Sequence, residues 1–511
     1  MKSNQIAIGS VLSYLQQFLG MILGLVYTPV MIHLLGQSEY GLYNTVASVT
    51  TMLSVLNMGF SSSYIRYYSQ KKNEGKDETA KINGMFLTVF LVISVIAAIC
   101  GWYLLTHLEL VFDRGLTVEE YTTARKLMAV LMIQLTLSFP MYVFSSIIYA
   151  HEKFVFAKTV SILKTLLNPM LTLPLLIMGY GSVAMVCTSL AVSLVADSLN
   201  IYYVLVVLKE KFRIGYIDKI IFQDMLVYTL FIAMHLIADQ INWNVDKVLL
   251  GRFRGTRSVA VYSVGYTLFS HYVYLGVPIS SMFIPKVHGI VADSALSNTV
   301  RREKLTETFV TVGRIQYLIL GCVATGFAVF GRQFLELWVG PEYKAAYWVA
   351  MLLISSGTID LIQHVGIEIQ RAQNLHKFRA VVYLMMGFAN VLISISLCQK
   401  YDAVGSAIGT ALSFLLTQGI IINVYYQKKC NLDVLRFWKS ILSASRGMIL
   451  PLLTGVAICK FFDQSTWVSL ILANMVYAVL YLFSMIQWGM TQTEKSVLQA
   501  AVKKIIGIVK C

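Results

Sequence analysis

The stretch FIAMHLIADQINWNVDKVLLG, residues 231–251, decides how this chain is read. A helix that crosses a bilayer needs about 20 mostly apolar residues, and this stretch supplies them, yet it also holds a histidine, two aspartates and a lysine. An ionised Asp or Lys at the centre of such a helix costs about 2.5 to 3.5 kcal/mol even on lenient insertion scales. Charges that persist there must face something other than lipid. Each helical residue turns about 100°, so His235, Asp239, Asn242 and Asp246 return to nearly one direction and form a polar stripe. Residues 345–370 repeat the arrangement: on a continuous helix Asp360, His364, Glu368 and Arg371 fall within about 80° of arc.

Two readings compete for these groups. They pair across helices as structural glue, with Asp246, Lys247 and Arg371 reaching the interface by snorkelling, or they line a hydrated cleft between two halves of the protein. Glue has no reason to gather on one face of two helices, which favours a functional face for Asp239, Asp360 and His364. Midspan carboxylates and histidines titrate according to their solvation, so His235, Asp239, Asn242, Asp246, Asp360, His364 and Glu368 are the candidates for coupling to H+ or Na+. Lys164 and Arg314 add positive charge inside spans, either toward an anionic ligand or snorkelling to a nearby surface.

Composition sets the class. Of 511 residues, 57% are hydrophobic and 13% charged, against about 25% charged in a soluble domain. The expected fold is an all-α integral membrane protein with about 14 transmembrane helices. Apolar stretches begin just after Lys2 without a small-residue cleavage site, so no removable signal peptide is expected. The seven cysteines are scattered, mostly in apolar runs, and lack metal-ligand spacing. The net charge of +15 divides unevenly: with the N-terminus inside, about 27 Lys and Arg fall in the cytoplasm and about 10 outside. That pattern puts both termini in the cytoplasm and leaves nothing for nucleic acid to explain. Val497, Leu498, Ala501, Val502, Ile505, Ile506 and Val509 share one face of the tail, which suggests an interfacial helix.

The first six helices echo in the next six. LLGQSEYGLY at 34–43 returns as LLGRFRGTRSVAVY at 249–262, KF at 153 as KF at 377, Asn168 as Asn390, YGSV at 180 as YDAV at 401 and NIYY at 200 as NVYY at 423. Six crossings return a chain to its starting side, so the copies share one orientation, as in parallel-repeat transporters. The division expected is 1–215 and 216–430 as two six-helix bundles, with 431–511 adding two helices and the tail. Gly20 and Gly24, spaced as GxxxG, suit close helix packing.

Four segments carry a resemblance: PVMIHLLGQSEYGLYN (29–44), LNMGFSSSYIRYYS (56–69), DKVLLGRF (246–253) and GVPISSMFIPKV (276–287). They resemble the polysaccharide transporter family, the O-antigen and capsule flippases of the multidrug, oligosaccharidyl-lipid and polysaccharide exporter superfamily. The resemblance implies a V-shaped pair of bundles in a bacterial inner membrane. It implies alternating access that carries an undecaprenyl-diphosphate-linked oligosaccharide from the cytoplasmic to the outer leaflet, beside membrane lipids and polysaccharide polymerase machinery. It implies no cofactor, no metal and no catalytic residue. The family's cavity is lined by cations, for which this chain offers Arg66, Lys164, Lys247, Arg314 and Arg371, although its two clearest stripes are mixed or acidic. A headgroup of diphosphate and sugar hydroxyls cannot cross hydrocarbon unaided.

Three rivals share parts of this pattern. A cation-coupled multidrug exporter fits the acidic stripes, and a flippase for a lipid-linked peptidoglycan precursor fits the fold. A membrane enzyme that modifies glycans fits less well, because HLIAD at 235–239 lies within a helix and no DxD or HExxH motif accompanies it.

Overall fold

The computed structural model describes residues 2–112, 116–216 and 218–496. Among them every regular element is helical, and the protein is all-α. In order the helices are α1 (Lys2–Leu53), α2 (Phe60–Lys71), α3 (Lys76–Thr106), α4 (Val118–Ala150), α5 (Phe154–Ile177), α6 (Gly181–Tyr202), α7 (Lys219–Phe253), α8 (Thr256–Ser281) and α9 (Ile284–Ala292). They continue as α10 (Asn298–Trp338), α11 (Lys344–Ile362), α12 (His364–Ala372), α13 (His376–Phe414), α14 (Ile422–Lys428), α15 (Val434–Ser445), α16 (Ile449–Phe461) and α17 (Trp467–Ser484). The interfacial tail expected at 497–509 lies outside the described residues.

Eleven helical segments among the described residues are long and apolar enough to cross a membrane, and two of these hold two crossings each. Ile8–Glu74 takes in most of α1, which breaks at Gly36 (φ 75°, ψ 168°), a conformation that glycine adopts without a Cβ penalty. Lys377–Lys428 takes in nearly all of α13, which breaks at Asp402 (φ 58°, ψ −140°). With α7 the crossings reach the 14 expected from hydropathy. The chain is a multi-pass membrane protein.

Packing follows membrane rules. On α3, Phe86, Phe90, Ile93 and Ala97 are buried while Leu91, Val92, Val95 and Ile99 are exposed. Both faces are apolar, as befits a helix whose outside meets lipid. Because lipid tails are as apolar as leucine, burial alone does not drive such helices together, and close fit must. The fit here is aromatic: Tyr64 meets Phe86 edge-on at 5.2 Å between ring centroids, and Phe60 meets Phe90 at 6.1 Å.

By its contacts the chain forms two compact units, Met1–Ser263 with Val391–Asp402, and Val264–Asn390 with Ala403–Cys511. In the first, a polar knot closes one end of the helices. Glu210, just beyond α6, accepts from Tyr68 Oη (2.9 Å) and Asn83 Nδ2 (2.9 Å) and pairs with His151 Nε2 (2.8 Å). Tyr64 in turn donates to Asn83 Oδ1 at 2.6 Å, so α2, α3, the α4–α5 turn and the segment after α6 meet at one carboxylate. Burial pushes the Glu210 carboxyl up, but the hydrogen bonds from His151, Tyr68 and Asn83 outweigh it and hold it below its usual range.

A group with a lowered folded pKa contributes stability that is present above its unfolded value and lost as pH falls through the folded one. Glu210→Ala is therefore expected to cost about 2 to 3 kcal/mol at pH 7, the scale of hydrogen bonds to a charged group. The deficit should shrink below pH 4, as thermal unfolding in detergent would show; an unchanged midpoint at pH 7 would exclude the knot as a fastening.

Candidate functional site

Helix α7 runs unbroken through His235, Asp239, Asn242 and Asp246, so their shared direction is preserved. Their surroundings differ. His235 is exposed, with Nε2 3.6 Å from Asp239 Oδ2. Asn242 and Asp246 are buried; Asn242 Nδ2 donates to the Ala238 carbonyl at 2.8 Å, and Asp246 accepts from Tyr262 Oη at 2.8 Å. Lys247 is buried beside Asp246. The stripe grades from an exposed histidine to an aspartate fastened to α8.

The second stripe is not built as expected. The arc assigned to Asp360, His364, Glu368 and Arg371 assumed one continuous helix, and the helix stops at Ile362 and restarts at His364. Gln363 between them has φ −102° and ψ 7°. Beyond the break the Tyr426 ring stands where a side chain at Gly366 would be, its Cζ 2.5 Å from an ideal Cβ, so α12 approaches α14 through a glycine. Past the break, Glu368 is buried and accepts from the exposed Arg371 at 2.8 Å, which gives that arginine a local partner.

Asp360 pairs with a residue that sequence reading passed over. Arg379, in the first turn of α13, places Nη2 3.1 Å from Asp360 Oδ1 and Nη1 3.3 Å from Gln418 Oε1. Gln418 belongs to a wide π-helical turn, Leu415–Ile421, between α13 and α14. Such turns hold one residue more than an α-helix and gather at functional sites. Nothing in the local sequence singles out Arg379; only its distance from Asp360 in the folded chain marks it.

Of the five basic candidates, Arg314 has the firmest placement. It is buried and forked onto Glu494, Nε to Oε1 at 2.6 Å and Nη2 to Oε2 at 3.0 Å. The same guanidinium donates to the carbonyls of Ser440 (2.5 Å) and Gly489 (2.8 Å). Its donors are consumed in fastening α15 and the end of the α17 segment to α10. Arg66, on α2, is exposed, with its guanidinium 5.7 Å from the Tyr67 ring centroid.

Lys164 lines two cavities of the first unit. One, of about 420 Å³, lies between α1 and α5. Gly20 and Gly24 border it, so the expected close packing is absent at Gly20, where a Cβ would meet open space. The other, of about 250 Å³, opens among α4, α5 and α6, where Lys164 shares the wall with Asp197, Gln134 and Asn200. Asp197 was another omission. It lies well inside the α6 span, and the rule that a midspan carboxylate signals function applies to it as to Asp239. No group of three or more His, Cys, Asp and Glu residues among the described residues is placed to hold a metal ion.

A chain that is nearly all membrane helix, with ionic groups held beside an interrupted helix, has the architecture of a transporter. Residues 7–287 match the family described as "Polysaccharide biosynthesis protein", and the chain belongs to that family. It is 20% identical to the uncharacterized membrane protein EpsK of Bacillus subtilis (strain 168), over 96% of this chain and 97% of that one. It is 28% identical to the probable flippase AglR of Haloferax volcanii, over 35% of this chain and 37% of that one. Among solved structures its fold is similar to that of the lipid II flippase MurJ in an inward closed conformation (TM-score 0.72, 15% identity, 93% of this chain and 98% of that one). It is also similar to an inward-facing multidrug resistance transporter of the MATE family (TM-score 0.64, 16% identity, 81% and 96% covered). These neighbours are transporters and flippases, not enzymes.

Proposed function

We propose that the protein flips a lipid-linked oligosaccharide, joined to its polyprenol through a diphosphate, from the cytoplasmic to the outer leaflet of the bacterial inner membrane by alternating access. O-antigen and capsule repeat units are the substrate class, both termini lie in the cytoplasm, and polymerase machinery receives the product. H+ or Na+ drives the cycle through the acidic groups of α7 and α11. The observation that carries this reading is membership of a polysaccharide-biosynthesis family in a chain made almost wholly of membrane helices. A biosynthetic protein so built meets its glycan where hydrocarbon is the obstacle, and a headgroup of sugars and phosphates cannot pass that obstacle unaided.

The test is reconstitution in vesicles with a labelled lipid-linked oligosaccharide, its leaflet followed with and without a pH or Na+ gradient. Wild-type protein is expected to move the label faster under a gradient, and Asp239→Asn or Asp360→Asn to lose about tenfold of that acceleration, the scale of one coupling interaction. Movement that ignores gradients in all three proteins would remove the coupling role. No movement of label, together with export of a lipophilic cation, would replace the substrate class with that of a multidrug exporter.

A further inference from the structure

We propose that the cavity among α4, α5 and α6 is a seat for one sugar ring, whose hydroxyls bridge Lys164 and Asp197. The seat rests on geometry; that the ring belongs to the headgroup of a lipid-linked glycan rests on the flippase reading.

The sequence puts polar groups on one side of each helix. On α4, Gln134, Tyr142 and Ser145 fall within about 80° of arc, and on α6 Asp197 and Asn200 lie about one turn apart. With Lys164 of α5 they line a single cavity of about 250 Å³. Lys164 and Asp197 carry opposite charges on that shared wall, yet neither makes a hydrogen bond or an ion pair with another described residue. Gln134 is only half engaged. Its Nε2 donates to Ser193 Oγ at 3.2 Å and to Ser189 Oγ at 3.3 Å, while Oε1 is buried without a hydrogen-bond partner. Turning the amide over exchanges its two ends, so one polar atom is surplus in either orientation. Asn200 Nδ2 reaches Ser145 Oγ only at 3.5 Å, longer than a normal hydrogen bond. The wall thus holds donors and acceptors that the protein itself leaves to be satisfied.

Elimination identifies the occupant. A lipid tail would strand a lysine, an aspartate and two carboxamides. Phosphate offers acceptors and meets the Asp197 carboxylate as a like charge; a simple cation meets Lys164 in the same way. A hydroxyl both donates and accepts. Neighbouring hydroxyls of one ring can therefore donate to Asp197 and to the Gln134 amide oxygen while accepting from Lys164 and Asn200. Water has the same double capacity, and a ring that takes its place releases several molecules at once.

Tyr142 gives the ring an advantage over water. Its own ring is held by Phe90 and Phe139, with centroids 6.0 and 6.1 Å away, and it offers the C–H flank of a sugar an apolar rest. Size limits the occupant to one ring: drug-sized ligands take about 300 to 1,000 Å³, more than the 250 Å³ present here. Because the wall suits hydroxyls and opposes phosphate, the seat reads the sugar end of a headgroup and not its link to the lipid.

The experiment places a cysteine in the wall. In full-length protein reconstituted in vesicles, mass spectrometry follows the reaction of Ser145→Cys with a small methanethiosulfonate reagent. The additions are glucose, galactose, N-acetylglucosamine, the labelled lipid-linked oligosaccharide, and polyprenyl diphosphate without sugar. At about ten times its Kd, at least one sugar and the lipid-linked oligosaccharide are each expected to slow labelling about tenfold, as occupancy dictates. The sugar-free diphosphate should leave the rate unchanged. Adding Asp197→Asn or Lys164→Gln should weaken each protecting sugar about tenfold, the scale of a hydrogen bond to a charged group. Gln134→Met keeps the volume, drops the amide and should act in the same direction. Labelling without any addition, at the rate of Ser145→Cys alone, shows that a variant has kept the wall in place.

Protection by a sugar that the variants abolish, with lipid-linked oligosaccharide neither protecting nor moving, leaves the seat standing and removes the flippase reading. Movement of oligosaccharide without protection by it or by any sugar removes the seat alone, and the cavity then holds water only. Protection by the sugar-free diphosphate as strong as that by the sugar-bearing lipid would overturn the seat, as would protection that survives all three variants. Absence of both protection and movement removes both readings.

Discussion

Arg314→Gln is expected to cost about 3 to 5 kcal/mol, the range for removing one partner of a buried ion pair. The side chains of Arg314 and Glu494 are only 6% and 8% exposed, so the carboxylate left behind has no water to turn to. The loss extends beyond one pair. The guanidinium also satisfies the carbonyls of Ser440 and Gly489, on segments that meet α10 through apolar contacts such as those of Phe330 and Met448 and through hydrogen bonds from Tyr477 Oη to Thr325 Oγ1 (2.7 Å) and from Tyr481 Oη to the Leu318 carbonyl (2.8 Å). In hydrocarbon the apolar contacts are matched by lipid, so the polar fastenings hold α15 to α17 in place, and among them the Arg314 fork joins two charges that are both buried. Limited proteolysis and thermal unfolding in detergent would detect it: the C-terminal helices should become cleavable well below the midpoint of the rest. A variant as resistant as wild type would show that packing alone holds them.

The same pair predicts an acid limit. Burial pushes the Glu494 carboxyl up, but Arg314 and the Thr491 backbone N–H outweigh it and hold it below the usual range. Its contribution is therefore complete above the ordinary carboxylate value and lost as pH falls through the lowered one. Glu494→Gln should remove that acid-sensitive part of the unfolding profile.

Gly41→Ala is the second large effect expected. On α1, just past the break at Gly36, an ideal Cβ at this position would lie 1.8 Å from the Thr256 carbonyl oxygen and 3.2 Å from the Ala260 backbone nitrogen. The obstacle is backbone, which no rotamer change can clear. Around this contact Ser38 bonds to Thr256 Oγ1 at 2.7 Å and to Glu120, whose other carboxylate oxygen accepts from the Thr117 backbone N–H at the start of α4. One methyl group must therefore part α1 from α8 and break the Ser38 node, at about 1 to 3 kcal/mol as an overpacking cost. Ser38→Cys offers the readout. Its reaction with a water-soluble maleimide should quicken several-fold when Gly41→Ala is added, and an unchanged rate would mean that the helices are not held by this approach.

Much of this architecture was legible because a bilayer imposes it. Span length and the turn of a helix are local properties, so the crossings and the direction shared by His235, Asp239, Asn242 and Asp246 could be read residue by residue. What stayed hidden depends on partners far along the chain. Arg314 looks like a cavity charge until Glu494 is found beside it, and Arg379 is one basic residue among many until the fold sets it against Asp360. The interruption at Gln363 has no proline to announce it. Asp197 differs, since its midspan position was visible and only the search for stripes passed it by. The Gly20 spacing misled for the converse reason: two glycines allow an approach, and here the space became a cavity wall.

The wide turn at Leu415–Ile421 carries one more consequence. It stores a surplus residue as a crease stores slack in cloth, and such slack can be passed along a helix without unwinding it. Passing it by a single position would swing everything downstream through about 100°, carrying Asn423 and Tyr426 off Gln363 and Gly366 together. A change of register at this turn would therefore rearrange the whole polar cluster with no hinge required.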